Sequence, residues 1–184
     1  MFGRPFRRDR GSEAIAAGLY GAIVAQARNP VLYTDLGVAD TIDGRFEMVV
    51  LHTVLVLRRL QAGGESECGI GQAVFDLHCT DMDQSLRELG VGDLGVPKRM
   101  KKMTERFYGR EAAYGAAFEA RNFRALMEAI ERNVFGRATP HATVLAAYAM
   151  ASFEQLAAMP TGALDAGHPR FADPTSFVPA GAST

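Results

Sequence analysis

The residues of this chain that could do chemistry are few, and their spacing decides what they can do. Four histidines and two cysteines occur among 184 residues. His78 and Cys79 are a base and a nucleophile side by side, but consecutive residues of a helix point about 100° apart and do not face each other. Cys68, Cys79, His52 and His78 lack the close paired spacing of a structural zinc site. His52 lies inside an apolar run and reads as a core histidine with one hydrogen-bonded nitrogen. Asp76, Asp81 and Asp83 do not supply the alternating oxygen ligands around a bend glycine that a calcium loop needs, so they read as solvated helix face. Gly69-Ile70-Gly71 lacks both the third glycine and the preceding strand of a phosphate-binding turn. A haem carrier ligated through His52, His78 or His141 would need an exposed cavity. With no nucleophile facing its base, no metal cluster and no carboxylate pair in view, the expectation is a protein that is not an enzyme and holds no cofactor.

Composition narrows the classes further. A formal charge of -1 and 22% charged residues give no global pull toward nucleic acid, and DNA is not an expected partner. The two cysteines, with four arginines and no apolar core in the first ten residues, suit a reducing, cytoplasmic setting with free thiols. The longest apolar run, residues 48–57, is interrupted by His52 and Thr53 and closed by Arg58 and Arg59, short of the ~20 residues a membrane span needs.

The elements that must position these residues are helical. Ile15, Leu19, Ile23 and Ala27 recur at helical spacing after Ser12, a candidate N-cap, until Asn29-Pro30 stops them. A loop holding Tyr33 and Leu36 follows. A second helix begins near Asp40 and carries Phe46, Val49, Val50, Val54, Leu57 and Leu60, with Leu51, Leu55 and Val56 on its other side. A helix apolar almost all round belongs at the centre of a bundle, and Gly63-Gly64 ends it. Residues 65–93 are acidic and read as one long or two short helices. Gly90, Gly92, Gly95 and Pro97 then break the chain, Pro97 suiting a first helical turn. The next helix, residues 96–110, is basic, with a stripe of Val96, Met100, Met103 and Phe107 among Lys98, Arg99, Lys101, Lys102, Arg106 and Arg110. Helices with Phe123, Leu126, Ile130 and Val134, and with Val144, Leu145, Tyr148 and Leu156, complete the set. Period-2 alternation with turn chemistry is missing. The expectation is an all-α, single-domain bundle of about six to seven helices: a basic flexible tail over 1–11, a helical domain over 12–159 and a Pro/Ala/Gly-rich flexible tail over 160–184.

Two readings stand for the basic helix. Its charges pair with the acidic segment before it, each exposed pair contributing about 0 to 1 kcal/mol, and its methionines are ordinary core. In the second, Met100, Met103, Phe107 and Tyr108 line a partner-binding groove, methionine flexibility allowing sequence-tolerant packing, while Lys98, Lys101, Lys102 and Arg106 meet a membrane or another acidic surface.

Two ordered blocks carry a family resemblance. The first is Asp40-Thr41, Gly44-Arg45 and the run on to His52. The second is Asp81, Asp83, Leu86-Arg87-Glu88, Gly90, Gly92-Asp93, Pro97-Lys98 and Phe107 to Gly109-Arg110. Together they resemble the ubiquinol-cytochrome c chaperone family, over roughly residues 20–150. The resemblance implies a non-enzymatic assembly factor without a cofactor. Its clients are newly made cytochrome b chains bound for ubiquinol-cytochrome c reductase, respiratory complex III. A small helical co-chaperone and the ribosome are implied as further partners. It also implies a cytoplasmic location peripheral to the inner membrane, or the mitochondrial matrix side in a eukaryote; the long N-terminal region of mitochondrial members is missing, as in a compact bacterial form. The competing expectation is a helical adaptor that docks a soluble protein or ribosome without chaperone action.

Overall fold

The computed structural model describes residues 10–160 and 162–178. Residues 1–9, most of the expected N-terminal tail, lie outside the described residues, as do residue 161 and residues 179–184. The described residues form α1 (Arg10–Ala27), α2 (Pro30–Thr34), α3 (Ile42–Gln61), α4 (Glu65–Glu88), α5 (Val96–Glu119), α6 (Phe123–Ile130) and α7 (Pro140–Ala157), with no strand among them. The all-α architecture is therefore as expected.

The bundle is built around α3. Thr41 caps it, its Oγ1 accepting a hydrogen bond from the Gly44 backbone N–H at 3.1 Å, which satisfies one of the donors a helix start leaves over. Every residue from 50 to 60 except Arg58 is buried, and α1, α4, α5 and α7 all pack on it. A helix surrounded on all sides cannot afford a polar face, hence the near-continuous apolar run. Leu19, Ile23 and Ala27 of α1 are fully buried, as the spacing requires.

Three details differ from expectation, and of the two readings of the acidic segment the structure has the single long helix. The chain after Asn29 turns through α2, because Pro30 takes the first turn and Asn29 caps it by accepting from the Val31 N–H at 3.1 Å. The acidic segment is one helix of 24 residues, ended by Gly90 at φ +78, a left-handed backbone that glycine adopts without strain. The basic helix continues past Arg110 to Glu119, its second half carrying buried Tyr114, Ala117 and Phe118. Lastly, the stretch expected as a flexible tail after Pro160 packs on the bundle through residue 178. Leu164 and Ala172 are buried there, and the Ala172 N–H donates to Ser152 Oγ at 3.1 Å. Its ties were invisible to composition: Arg59, 6% exposed, bonds Glu67 at 2.7 Å and the Pro160 carbonyl at 2.8 Å, while Glu67 accepts from the Gly162 N–H at 2.7 Å.

Candidate functional site

The α4–α5 corner and the first half of α5 carry the largest set of exposed apolar and unpaired cationic side chains. Leu94 is 100% exposed, Leu89 53% and Tyr108 49%. Met100 and Met103 are half-buried. Phe107 is different: at 1% exposure it belongs to the core, so in this conformation it does not line the groove expected of it. Around the apolar side chains, Lys98, Arg99, Lys101 and Lys102 are exposed. Lys101 lies 4.0 Å from Glu105, and among the described residues no carboxylate reaches Lys98, Arg99 or Lys102. These cations are thus not consumed by pairing with the acidic helix α4.

Arg106 corrects the expectation of four equivalent surface cations. It bonds Asp43 at 3.2 Å and Glu47 at 2.9 Å, with its guanidinium 5.1 Å above the Phe46 ring. Arg110 holds the same carboxylate through Nε and Nη2, each at 2.7 Å. Glu47 is 2% exposed, and a buried carboxylate persists only when paired and hydrogen-bonded. Glu47 escaped the sequence reading. The available signal was register: Asp43 and Glu47 on α3, and Arg106 and Arg110 on α5, are each spaced four apart, so two oppositely charged rungs face each other across the helices.

Beneath this face four helices meet at aromatic rings: Tyr20 of α1, Phe46 of α3, His78 of α4 and Phe107 of α5. The His78 ring centroid lies 6.2, 6.5 and 5.1 Å from Tyr20, Phe46 and Phe107 respectively. His78 is 1% exposed, and neither ring nitrogen has a hydrogen-bond partner. Burial pushes its pKa down to about 4. Cys79, its neighbour, is only half-buried and points elsewhere on the helix. Asp81 accepts from the Tyr20 hydroxyl at 2.7 Å, fastening α1 to α4, so it is not merely a solvated carboxylate.

His52 has the core role its surroundings predicted, with both nitrogens used rather than one. Nδ1–H donates to the Met48 carbonyl at 2.7 Å, which fixes the tautomer because a carbonyl only accepts, and Nε2 accepts from the Tyr148 hydroxyl at 2.6 Å. Gln26 donates to that hydroxyl at 2.9 Å, and Phe171 covers the imidazole edge-on. Burial lowers the His52 pKa to about 4. His141 is exposed beside Phe135. Among the described residues no group of three or more His, Cys, Asp or Glu is placed to hold a metal ion, and no helix is long and apolar enough to cross a membrane.

The positions that carried the family resemblance fall into local devices. Arg45 grips Asp40 at 2.6 Å and 3.2 Å beside the Thr41 cap. A Cβ on Gly44 would sit 2.0 Å from the Ala39 carbonyl oxygen, so only glycine fits. Arg87 bridges Asp83 at 2.7 Å and Asp93 at 2.6 Å, tying the end of α4 to the glycine-rich connection, and Glu88 accepts from Gln84. Pro97 lies in the first turn of α5. Gly92 and Gly109 would meet nothing on gaining a Cβ, so packing within the chain does not explain them.

Comparison with known proteins accounts for the grouping of these positions. Residues 34–171 match the family model described as Ubiquinol-cytochrome C chaperone. The chain belongs to the ubiquinol-cytochrome c chaperone family. Its fold is similar to the crystal structure of the Cbp3 homolog from Brucella abortus, with 41% sequence identity and a TM-score of 0.83 over 90% of this chain and 93% of that one. A search of curated proteins found no match. The family match takes in both blocks and the α3–α5 arginine cluster, and it continues past Pro160 to the residue that covers His52.

Proposed function

We propose that the protein is a non-enzymatic chaperone that binds newly made cytochrome b and supports assembly of respiratory complex III. The observation that carries this is the α4–α5 face. A family member built to fold alone has no need of a fully exposed Leu94, with Leu89 exposed at the other end of the same connection and Tyr108 exposed further along α5, and exposed apolar side chains of this kind mark an interaction surface. Cytochrome b helices before assembly are apolar and aggregation-prone. Half-buried Met100 and Met103 add adaptable contacts. The cations Lys98, Lys101 and Lys102 would orient this face at the anionic surface of the inner membrane, where such a client is inserted, each near-surface cation contributing about 1 kcal/mol.

A photocrosslinking residue placed at Leu94 or at Tyr108 should capture cytochrome b in growing cells, while one at Arg124, an exposed residue of α6, should not. A strain lacking the protein should lose assembled complex III. Normal complex III and no cytochrome b adduct from either position would refute the reading. Replacing Lys98, Lys101 and Lys102 by glutamate should reduce membrane association; unchanged association, client capture and complex III would remove the membrane-orienting role alone.

A further inference from the structure

The first half of α5 is attached weakly for a helix so near the core. No residue from 97 to 106 is buried. Met82, Leu86 and Val96, buried at the ends of α4 and α5 that meet at this corner, do not join the continuous core. A segment with few buried contacts opens at lower free energy than the whole molecule. Its inner anchor, Phe107, sits against His78, whose two ring nitrogens are buried without partners, and that desolvation penalty is relieved when the imidazole reaches water or a polar group. Gly109 follows two residues later, in mid-helix, where glycine weakens the helix and a Cβ would meet nothing. The cluster on Glu47 straddles this glycine: Arg106 precedes it and Arg110 follows it. If Arg106 leaves with the first half of α5, Arg110 still neutralises the buried carboxylate.

We propose that residues 97–108 are a flap, hinged at the glycine-rich connection before α5 and at Gly109, which lifts off α4 so that an apolar helix of the client takes the place of Phe107 over Phe75 and His78. The occupant rests on the function proposed above; the flap itself does not. Phe75 lies 5.0 Å from Phe107 and 5.7 Å from Tyr108 between ring centroids, so its ring also lies under the flap. Opening makes the half-buried Met100 and Met103, with the exposed Tyr108, one wall of a groove whose other wall is α4.

Native-state hydrogen exchange on the full chain tests this. Amides of residues 99–108 should exchange well ahead of those of α3. Gly109→Ala should slow them by about two- to five-fold, the helix preference of alanine over glycine, and His78→Phe by about five-fold or more, as the unpartnered nitrogens disappear. Both variants should capture less cytochrome b at a crosslinker on Met103 while remaining folded. Protection at 99–108 equal to that of α3, or exchange unmoved by both variants, overturns the flap. Slower exchange with undiminished capture overturns its use by the client. Failure of the unmodified chain to capture cytochrome b overturns the client reading, while exchange on the purified protein still decides the flap.

Discussion

His52 and His78 are both buried in this protein and both held neutral by that burial, although their hydrogen bonding is opposite: one has each nitrogen bonded, the other neither. Their folded pKa values, near 4, lie below the 6.5 of an unfolded histidine. Between those values the unfolded chain binds protons that the folded chain refuses. Stability is therefore full above about pH 6.5 and falls as the pH drops toward 4, by up to about 1.4 kcal/mol per pH unit for each histidine. Denaturation midpoints recorded from pH 7 to 4 should show this slope, and His78→Phe should remove about half of it. Gly44 gives a steric prediction at the same scale. A Cβ 2.0 Å from the Ala39 carbonyl oxygen must displace backbone rather than a side-chain tip, so Gly44→Ala should cost about 2 kcal/mol or more in chemical denaturation.

Between elements, two ion clusters tie α5 to α3: Arg58 with Glu111 and Glu119 at the far end of α5, and the Glu47 cluster nearer its first half. Removing the Glu47 carboxylate leaves Arg110, with only 12% of its side chain exposed, and Arg106 without their shared partner. Breaking a buried pair in this way costs about 3 to 5 kcal/mol. Glu47→Gln should approach that loss in urea denaturation and should also quicken exchange along α5; Asp43→Asn, with an 82% exposed side chain, should cost less than about 1 kcal/mol. Equal effects would place the strength of the contact in its surface rung. Helix α4 contributes no comparable anchor to the first half of α5. Among the described residues, Lys98, Arg99 and Lys102 of that half are left for solvent or a partner.

For the molecule as a whole, the segment after Pro160 closes the bundle. It supplies Phe171 to His52, Phe177 to Tyr148 and backbone groups to the buried Arg59–Glu67 pair. A chain truncated after Met159 should lose about 3 kcal/mol or more, since Arg59 and Glu67 each forfeit a backbone bond and apolar surface is uncovered. The His52 pKa should rise toward its ordinary value as water reaches the ring, measurable by NMR titration; an unchanged pKa would show that Phe171 is not what keeps the ring dry. The amino-acid sequence by itself determined most of the helices, the central place of α3 and the family, because apolar period, caps and breakers act within a few residues and the two motif blocks follow in order along the chain. It also located the basic Met-rich half of α5. Only the tertiary structure decided that Phe107 faces inward, that Arg106 and Arg110 converge on Glu47, and that the Gly- and Pro-rich end folds back over His52. Each of those depends on which partner a side chain meets across tens of residues, and composition and local spacing carry no record of that meeting.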